Sequence, residues 1–121
     1  MQNLGIDSSK LILYNLSDDL LLFEQDADTE TAIASLTKIM TAILTIENKD
    51  LNERVTITSE MVSGLEGYAV QGLMVRQVLS IEELLYATLL PSAADAAQAL
   101  AIATSGSLEN FAKLMNQKVA E

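Results

Sequence analysis

A chain of 121 residues, half of them apolar, fits one domain or a piece of one and can bury a real core. Seven basic residues against seventeen acidic ones give a net charge of −10, which repels phosphate backbones and anionic lipid surfaces and excludes nucleic acid as an expected partner. With no histidine and no cysteine the usual transition-metal ligands are missing, and the carboxylates follow no calcium-loop pattern, so no metal, no other cofactor and no disulfide is expected.

The start, Met1-Gln2-Asn3-Leu4-Gly5, has neither a basic cluster nor an apolar run, so no signal peptide is expected in this numbering. Lys10 to Tyr14 and Leu20 to Phe23 read as short strands joined by the turn formers Asn15 to Asp19, a β-hairpin over residues 10–23. After the polar stretch Glu24 to Glu30, a helical pattern runs from about Ser35 to Glu47. Its apolar positions 36, 39, 40, 42, 43, 44 and 46 cover most of the circumference, which predicts an interior helix. The apolar stretch Thr31 to Ile46 falls short of the roughly 18 residues a membrane span needs, and it carries Lys38 and four threonines, so no transmembrane segment is expected.

Asn48 to Glu53 is a polar break and Val55 to Thr58 a short β-branched strand, while glycines at 64, 67 and 72 mark a loop. Gly64 and Gly67 form a GxxG that lacks basic neighbours. Ser80 with Glu83 makes a capping box, so a helix starts at Ile81 and runs to about Leu90, where Pro91 stops it. An alanine-rich helix follows from about Asp95 to Ala103, and Ser107 caps a last amphipathic one, Leu108 to Ala120.

Lys38 is the only charged residue between Glu30 and Glu47, and it stands three positions after Ser35, on the same helix face. Burial disfavours an ammonium group, so a desolvated Lys38 is expected to accept the hydroxyl proton of Ser35 near neutral pH. A Ser-His-Asp triad cannot be built without histidine. On spacing alone, a capping Ser35 and a Lys38 whose stem runs along apolar neighbours to solvent account for the same residues, because Ser-x-x-Lys is a frequent pattern. A second candidate is Ser92, set with Pro91 in a sharp turn between two apolar helices; there too, Ser92 or Asp95 as a plain helix cap is the simpler alternative.

Taken together, Ala34-Ser35-Leu36-Thr37-Lys38-Ile39-Met40-Thr41-Ala42 and Leu84-Leu85-Tyr86-Ala87-Thr88-Leu89-Leu90-Pro91-Ser92-Ala93-Ala94-Asp95-Ala96-Ala97 resemble the serine-type D-alanyl-D-alanine carboxypeptidases among the low-molecular-mass penicillin-binding proteins. The resemblance extends from the hairpin at Leu11 to Asn116. It implies that Ser35 of Ser-x-x-Lys is the acylated nucleophile and Lys38 its base. The family's second motif is Ser-x-Asn: Ser92 matches its serine, which assists proton transfer, and Ala94 stands where the asparagine is expected. The third motif, Lys-Thr-Gly or Lys-Ser-Gly, is absent from this sequence, and Arg76-Gln77 replaces an expected Gly-Glu pair.

The implied fold is α+β, of the serine β-lactamase and penicillin-binding-protein type. Residues 1–121 are expected to form a truncated catalytic domain, the helical lobe 35–121 plus the first two strands of a five-stranded antiparallel sheet. The implied reaction cleaves the D-Ala-D-Ala end of peptidoglycan stem peptides through an acyl-enzyme, outside the cytoplasm in the bacterial cell envelope, and β-lactams acylate the same serine. The fragment alone is expected to be nearly inactive and to self-associate through its exposed sheet edge. Two alternatives remain open: a non-catalytic peptidoglycan-binding or scaffold homologue, suggested by Ala94 and the absent third motif, and a serine β-lactamase, which shares Ser-x-x-Lys.

Overall fold

The computed structural model describes residues 5–120, which divide into two units, one up to Ala32 and one from Ile33 onward. The N-terminal residues Met1 to Leu4, which bear on the signal-peptide expectation, lie outside the described residues.

The first unit is the expected hairpin, with the first strand shifted by one residue and the second longer by two. β1 (Leu11–Asn15) pairs antiparallel with β2 (Leu20–Gln25), with a bulge between Leu13 and Tyr14. The turn is built by Asn15, whose side-chain oxygen accepts the N–H groups of Ser17 (3.0 Å) and Asp18 (3.3 Å) while its amide donates to the Asp18 carboxylate (2.7 Å). Apolar residues occupy both faces of the hairpin, as in strands meant to be covered on both sides, yet Ile12, Leu13, Leu20 and Leu22 are all exposed.

The second unit is the helical lobe. A 3₁₀ turn (Ala34–Leu36) leads into α1 (Thr37–Asn48). β3 (Arg54–Thr56) pairs antiparallel with β4 (Val78–Ser80), and then come α2 (Ile81–Leu89), α3 (Ala94–Ser105) and α4 (Leu108–Val119). The Ser80–Glu83 capping box forms in both directions, at 3.0 Å and 2.7 Å, and starts α2 as the sequence predicts. β4 is a correction to the expected loop after Gly64: three residues are too short to display strand periodicity, and pairing with Val55 creates the strand.

α3 is central and packs against α1, α2 and α4. Its small residues Ala96 and Ala99 are fully buried and let the neighbouring helices come close around Ile57, Ile81, Leu84 and Leu100. Full burial of each of those four aliphatic side chains contributes about 1.5–3 kcal/mol. A second cluster of Leu44, Ala101 and Phe111 ties α4 to α1 and α3. Thr45 and Thr88, buried in this core, donate their hydroxyls to the carbonyls one turn back, so neither is left unsatisfied.

The interior position expected for α1 holds on one side only. Thr41, Ala42, Leu44 and Thr45 are buried, whereas Ile39, Ile43 and Ile46 form an exposed stripe at helical spacing, because no element of the described lobe lies over them. No helix among the described residues is long and apolar enough to cross a membrane.

Candidate active site

Ser35 sits in the 3₁₀ turn rather than inside α1, a second correction to the expected helix from Ser35. The turn is closed by Leu36 N–H on Ile33 O at 3.1 Å, and Ala34 just before the serine takes a left-handed φ of +47°. Such a conformation is costly for a residue with a Cβ and persists only where its surroundings enforce it. Lys38 then falls in the first turn of α1. Ser92 comes from the α2–α3 connection and is also left-handed, with φ +60°. Pro91 stops α2 there, and Ala93 N–H reaches back to Ala87 O at 3.2 Å, so the reversal is tight.

These elements bring Ser92 to Ser35 and Lys38, from which it lies 57 and 54 residues away in sequence. Lys38 Nζ donates to Ser35 Oγ at 3.3 Å and to Ser92 Oγ at 3.1 Å, and the Ser92 hydroxyl donates to Ser35 Oγ at 2.9 Å. The alternative in which the Lys38 stem carries its amine out to solvent is not the arrangement found. Nor is Lys38 fully desolvated: it is half-buried and Ser35 is exposed, because the Ile39 side of α1 is open.

Two members of the triangle, Ser35 and Lys38, line a cleft of about 560 Å³, within the range of small-molecule sites. Ser35, Lys38 and Thr41 line one side, Ala94 and Gln98 of α3 another, and Tyr68 contributes from the loop. Ala94 therefore presents a methyl group to the cleft at the position expected for an asparagine. Gln98, one turn along, is committed elsewhere, its amide nitrogen donating to Glu60 O (2.7 Å) and Ser63 O (3.1 Å). Among the described residues no cluster of three or more acidic side chains could hold a metal ion.

Asp95, read from the sequence as a candidate helix cap, has a different structural role. Neither it nor Ser92 caps α3, whose N-cap is Ala93 without a side-chain bond. Instead the carboxylate is buried, 2% exposed, and accepts four backbone N–H groups at 2.9 Å: Gln71 and Ala96 on one oxygen, Gly72 and Leu73 on the other. Burial acts to raise its pKa, but the donors from Leu73, Gln71, Ala96 and Gly72 outweigh it and hold the carboxyl below its ordinary value. A second tie, Ala94 N–H to Ala69 O at 2.7 Å, fastens the same loop to the start of α3. A signal was available: Asp95 is the only charged residue between Glu83 and Glu109, on an apolar helix, as Lys38 is on α1.

The replaced Gly-Glu pair also acquires a geometry. Arg76 has φ +72° in a turn closed by Gln77 N–H on Met74 O at 2.9 Å, a place where glycine costs nothing and arginine is strained. The Gln77 side-chain oxygen accepts Met74 N–H at 3.0 Å.

The sequence is 36% identical over 108 residues to a D-alanyl-D-alanine endopeptidase of Haemophilus influenzae, covering 88% of this chain and 37% of the relative. It is 30% identical to the D-alanyl-D-alanine carboxypeptidase DacF of Bacillus subtilis over 98% of this chain and 31% of that protein. Among solved structures, a variant of the Streptomyces K15 DD-transpeptidase superposes with a TM-score of 0.88 at 28% identity, over 95% of this chain and 48% of that one. The α+β fold is thus that of the DD-peptidases and penicillin-binding proteins, and the chain spans about a third of the length of the two curated relatives. Residues 1–121 match the D-alanyl-D-alanine carboxypeptidase family throughout, and the chain that places Ser35, Lys38 and Ser92 in one triangle belongs to that family.

Proposed function

We propose that this chain carries the nucleophile side of a serine-type D-Ala-D-Ala carboxypeptidase that acts on peptidoglycan stem peptides in the bacterial cell envelope. Ser35 is the nucleophile, Lys38 the base and Ser92 the proton relay. One observation supports the reading: the three polar atoms lie 2.9–3.3 Å apart beside a cleft, although Ser92 is 57 residues from Ser35.

Lys38, as the base, takes the hydroxyl proton while Ser35 Oγ attacks the carbonyl carbon of the penultimate D-Ala. The tetrahedral adduct collapses with cleavage of the peptide C–N bond. The proton passes from Lys38 through Ser92 to the amine of the departing D-Ala. Water then attacks the Ser35 ester with the same groups as base and relay, releasing the shortened peptide. The strained amide of a β-lactam is opened by the same first step. By family resemblance the Ser35 backbone N–H is one oxyanion donor. With a methyl at Ala94 and no Lys-Thr-Gly in these 121 residues, the isolated chain has little turnover of its own.

Ala94 also favours a second reading, a homologue that binds peptidoglycan without cleaving it. Intact-mass analysis of the full-length protein with a labelled penicillin separates the two. The expected result is a single adduct on Ser35, absent in Ser35→Ala and in Lys38→Ala, and slowed by about 10²- to 10⁴-fold in Ser92→Ala, the usual worth of a positioned proton-transfer group. A label on another residue, or an undiminished one in Ser35→Ala, refutes the assignment. A folded protein that takes no label, with Ala94→Asn equally silent, establishes the non-catalytic reading.

A further inference from the structure

The cleft holds fewer uncommitted polar groups than its function requires. Ser35 and Lys38 are the reacting pair, the Thr41 hydroxyl donates to Thr37 O, Gln98 Nε2 is bound to two carbonyls, and Ala94 offers only a methyl. Tyr68 remains. It lines the same cleft, is 67% exposed, and its hydroxyl makes no hydrogen bond among the described residues.

Its setting is rigid for a loop residue. Tyr68 N–H closes on Leu65 O at 3.1 Å with Gly67 at φ +84°, the type II turn geometry that favours glycine in its third position. This assigns a use to the second glycine of the GxxG. The next residue, Ala69, accepts Ala94 N–H, and Gln71, Gly72 and Leu73 are all fixed by Asp95. An aromatic ring with a free hydroxyl is thus mounted on a segment tied to the N-terminal end of α3, where the expected amide of residue 94 is missing.

We infer that Tyr68 is a substrate-positioning residue, its ring packing on the side chain of the peptide acyl donor and its hydroxyl bonding the donor's backbone amide, a task left vacant by Ala94. The inference rests on the carboxypeptidase reading of the site. A tyrosine suits it because it offers a large apolar face at low conformational-entropy cost together with one polar atom at its tip.

The test is the concentration dependence of penicillin acylation in the full-length protein, followed by intact mass. Tyr68→Ala is expected to raise the half-saturating concentration about tenfold while the limiting acylation rate stays within about twofold, and Tyr68→Phe to raise it about threefold. The exposed position predicts an unchanged melting temperature. Unchanged half-saturation in Tyr68→Ala, or a fall confined to the limiting rate, overturns the inference. Binding of an N-acylated Lys-D-Ala-D-Ala tripeptide to Ser35→Ala provides the second measurement. If the wild type forms no adduct, the acyl-enzyme reading fails, and Tyr68 is judged on binding alone. A tenfold weaker Kd in Tyr68→Ala/Ser35→Ala retains it; equal affinities, or no binding to Ser35→Ala at all, remove it.

Discussion

Replacing Asp95 with asparagine tests the buried carboxylate directly. The change keeps the shape of the side chain and one acceptor oxygen. Oriented to retain Gln71 and Ala96 on that oxygen, the asparagine turns its NH₂ toward the N–H groups of Gly72 and Leu73, donor against donor at 2.9 Å. The opposite orientation loses the other pair instead. Either way two backbone donors lose their acceptor beside a side chain that is 2% exposed, and at about 1–3 kcal/mol for each donor kept from water the loss is up to about 6 kcal/mol. That is a large part of the stability of a small domain. The pH dependence has a definite sign. The folded pKa of Asp95 is depressed by its backbone donors, so its ionisation contributes stability fully above the unfolded value, about 3.9, and that contribution is lost as pH falls through the folded value. Equilibrium urea unfolding at pH 7 and at successively lower pH measures both effects. The wild type and Asp95→Asn should differ most at pH 7 and converge in acid, with equal m-values. A penalty under about 0.5 kcal/mol at pH 7, the usual size of a neutral surface change, or one that grows on acidification, refutes the cradle as an energetic feature.

Two further outcomes follow from the backbone and the surface. Arg76→Gly removes a left-handed arginine and is expected to stabilise the lobe by about 0.5–1 kcal/mol, read as a higher urea midpoint; an unchanged or lower midpoint means that the turn holds no strain at that residue. The isolated chain, with Ile39, Ile43 and Ile46 exposed on α1 and apolar hairpin faces, is expected to associate over a tenfold concentration series in sedimentation velocity, and Ile39→Glu/Ile43→Glu to lower that association; a concentration-independent wild-type monomer contradicts this.

Much of the architecture could be read from local chemistry. The Asn15 turn, the Ser80–Glu83 box and the Ser107 cap each act within a few residues, so spacing suffices to predict them. Lys38 stood out for a physical reason as well, since a lone charge on an apolar helix needs partners. The same rule applied to Asp95 points to a buried, bonded carboxylate but cannot name its donors, three of which lie 22–24 residues upstream in a loop without periodic pattern. Apolar periodicity in α1 reports that its surface is fit for burial, not what covers it, which is why the stripe Ile39, Ile43 and Ile46 lies open in a helix expected to be interior.

The left-handed residues are the part of the site least legible in sequence. Alanine, serine and arginine do not encode positive φ, so Ala34, Ser92 and Arg76 take it because tertiary contacts leave no alternative. For Ser92 those contacts are visible. α2 ends against Pro91, Ala93 and Ala94 are tied to Ala87 and Ala69, and Asp95 holds three more backbone groups of the same loop. Between those fixed points the chain must reverse within a few residues, and that reversal turns Ser92 Oγ to within 2.9 Å of Ser35 Oγ. The carboxylate that never meets the cleft and the serine that bonds to Ser35 are therefore parts of one mechanical unit. Loosening the Asp95 cradle should cost the Ser35–Ser92 hydrogen bond along with stability, whereas loss of the Ser92 hydroxyl alone should leave the cradle intact.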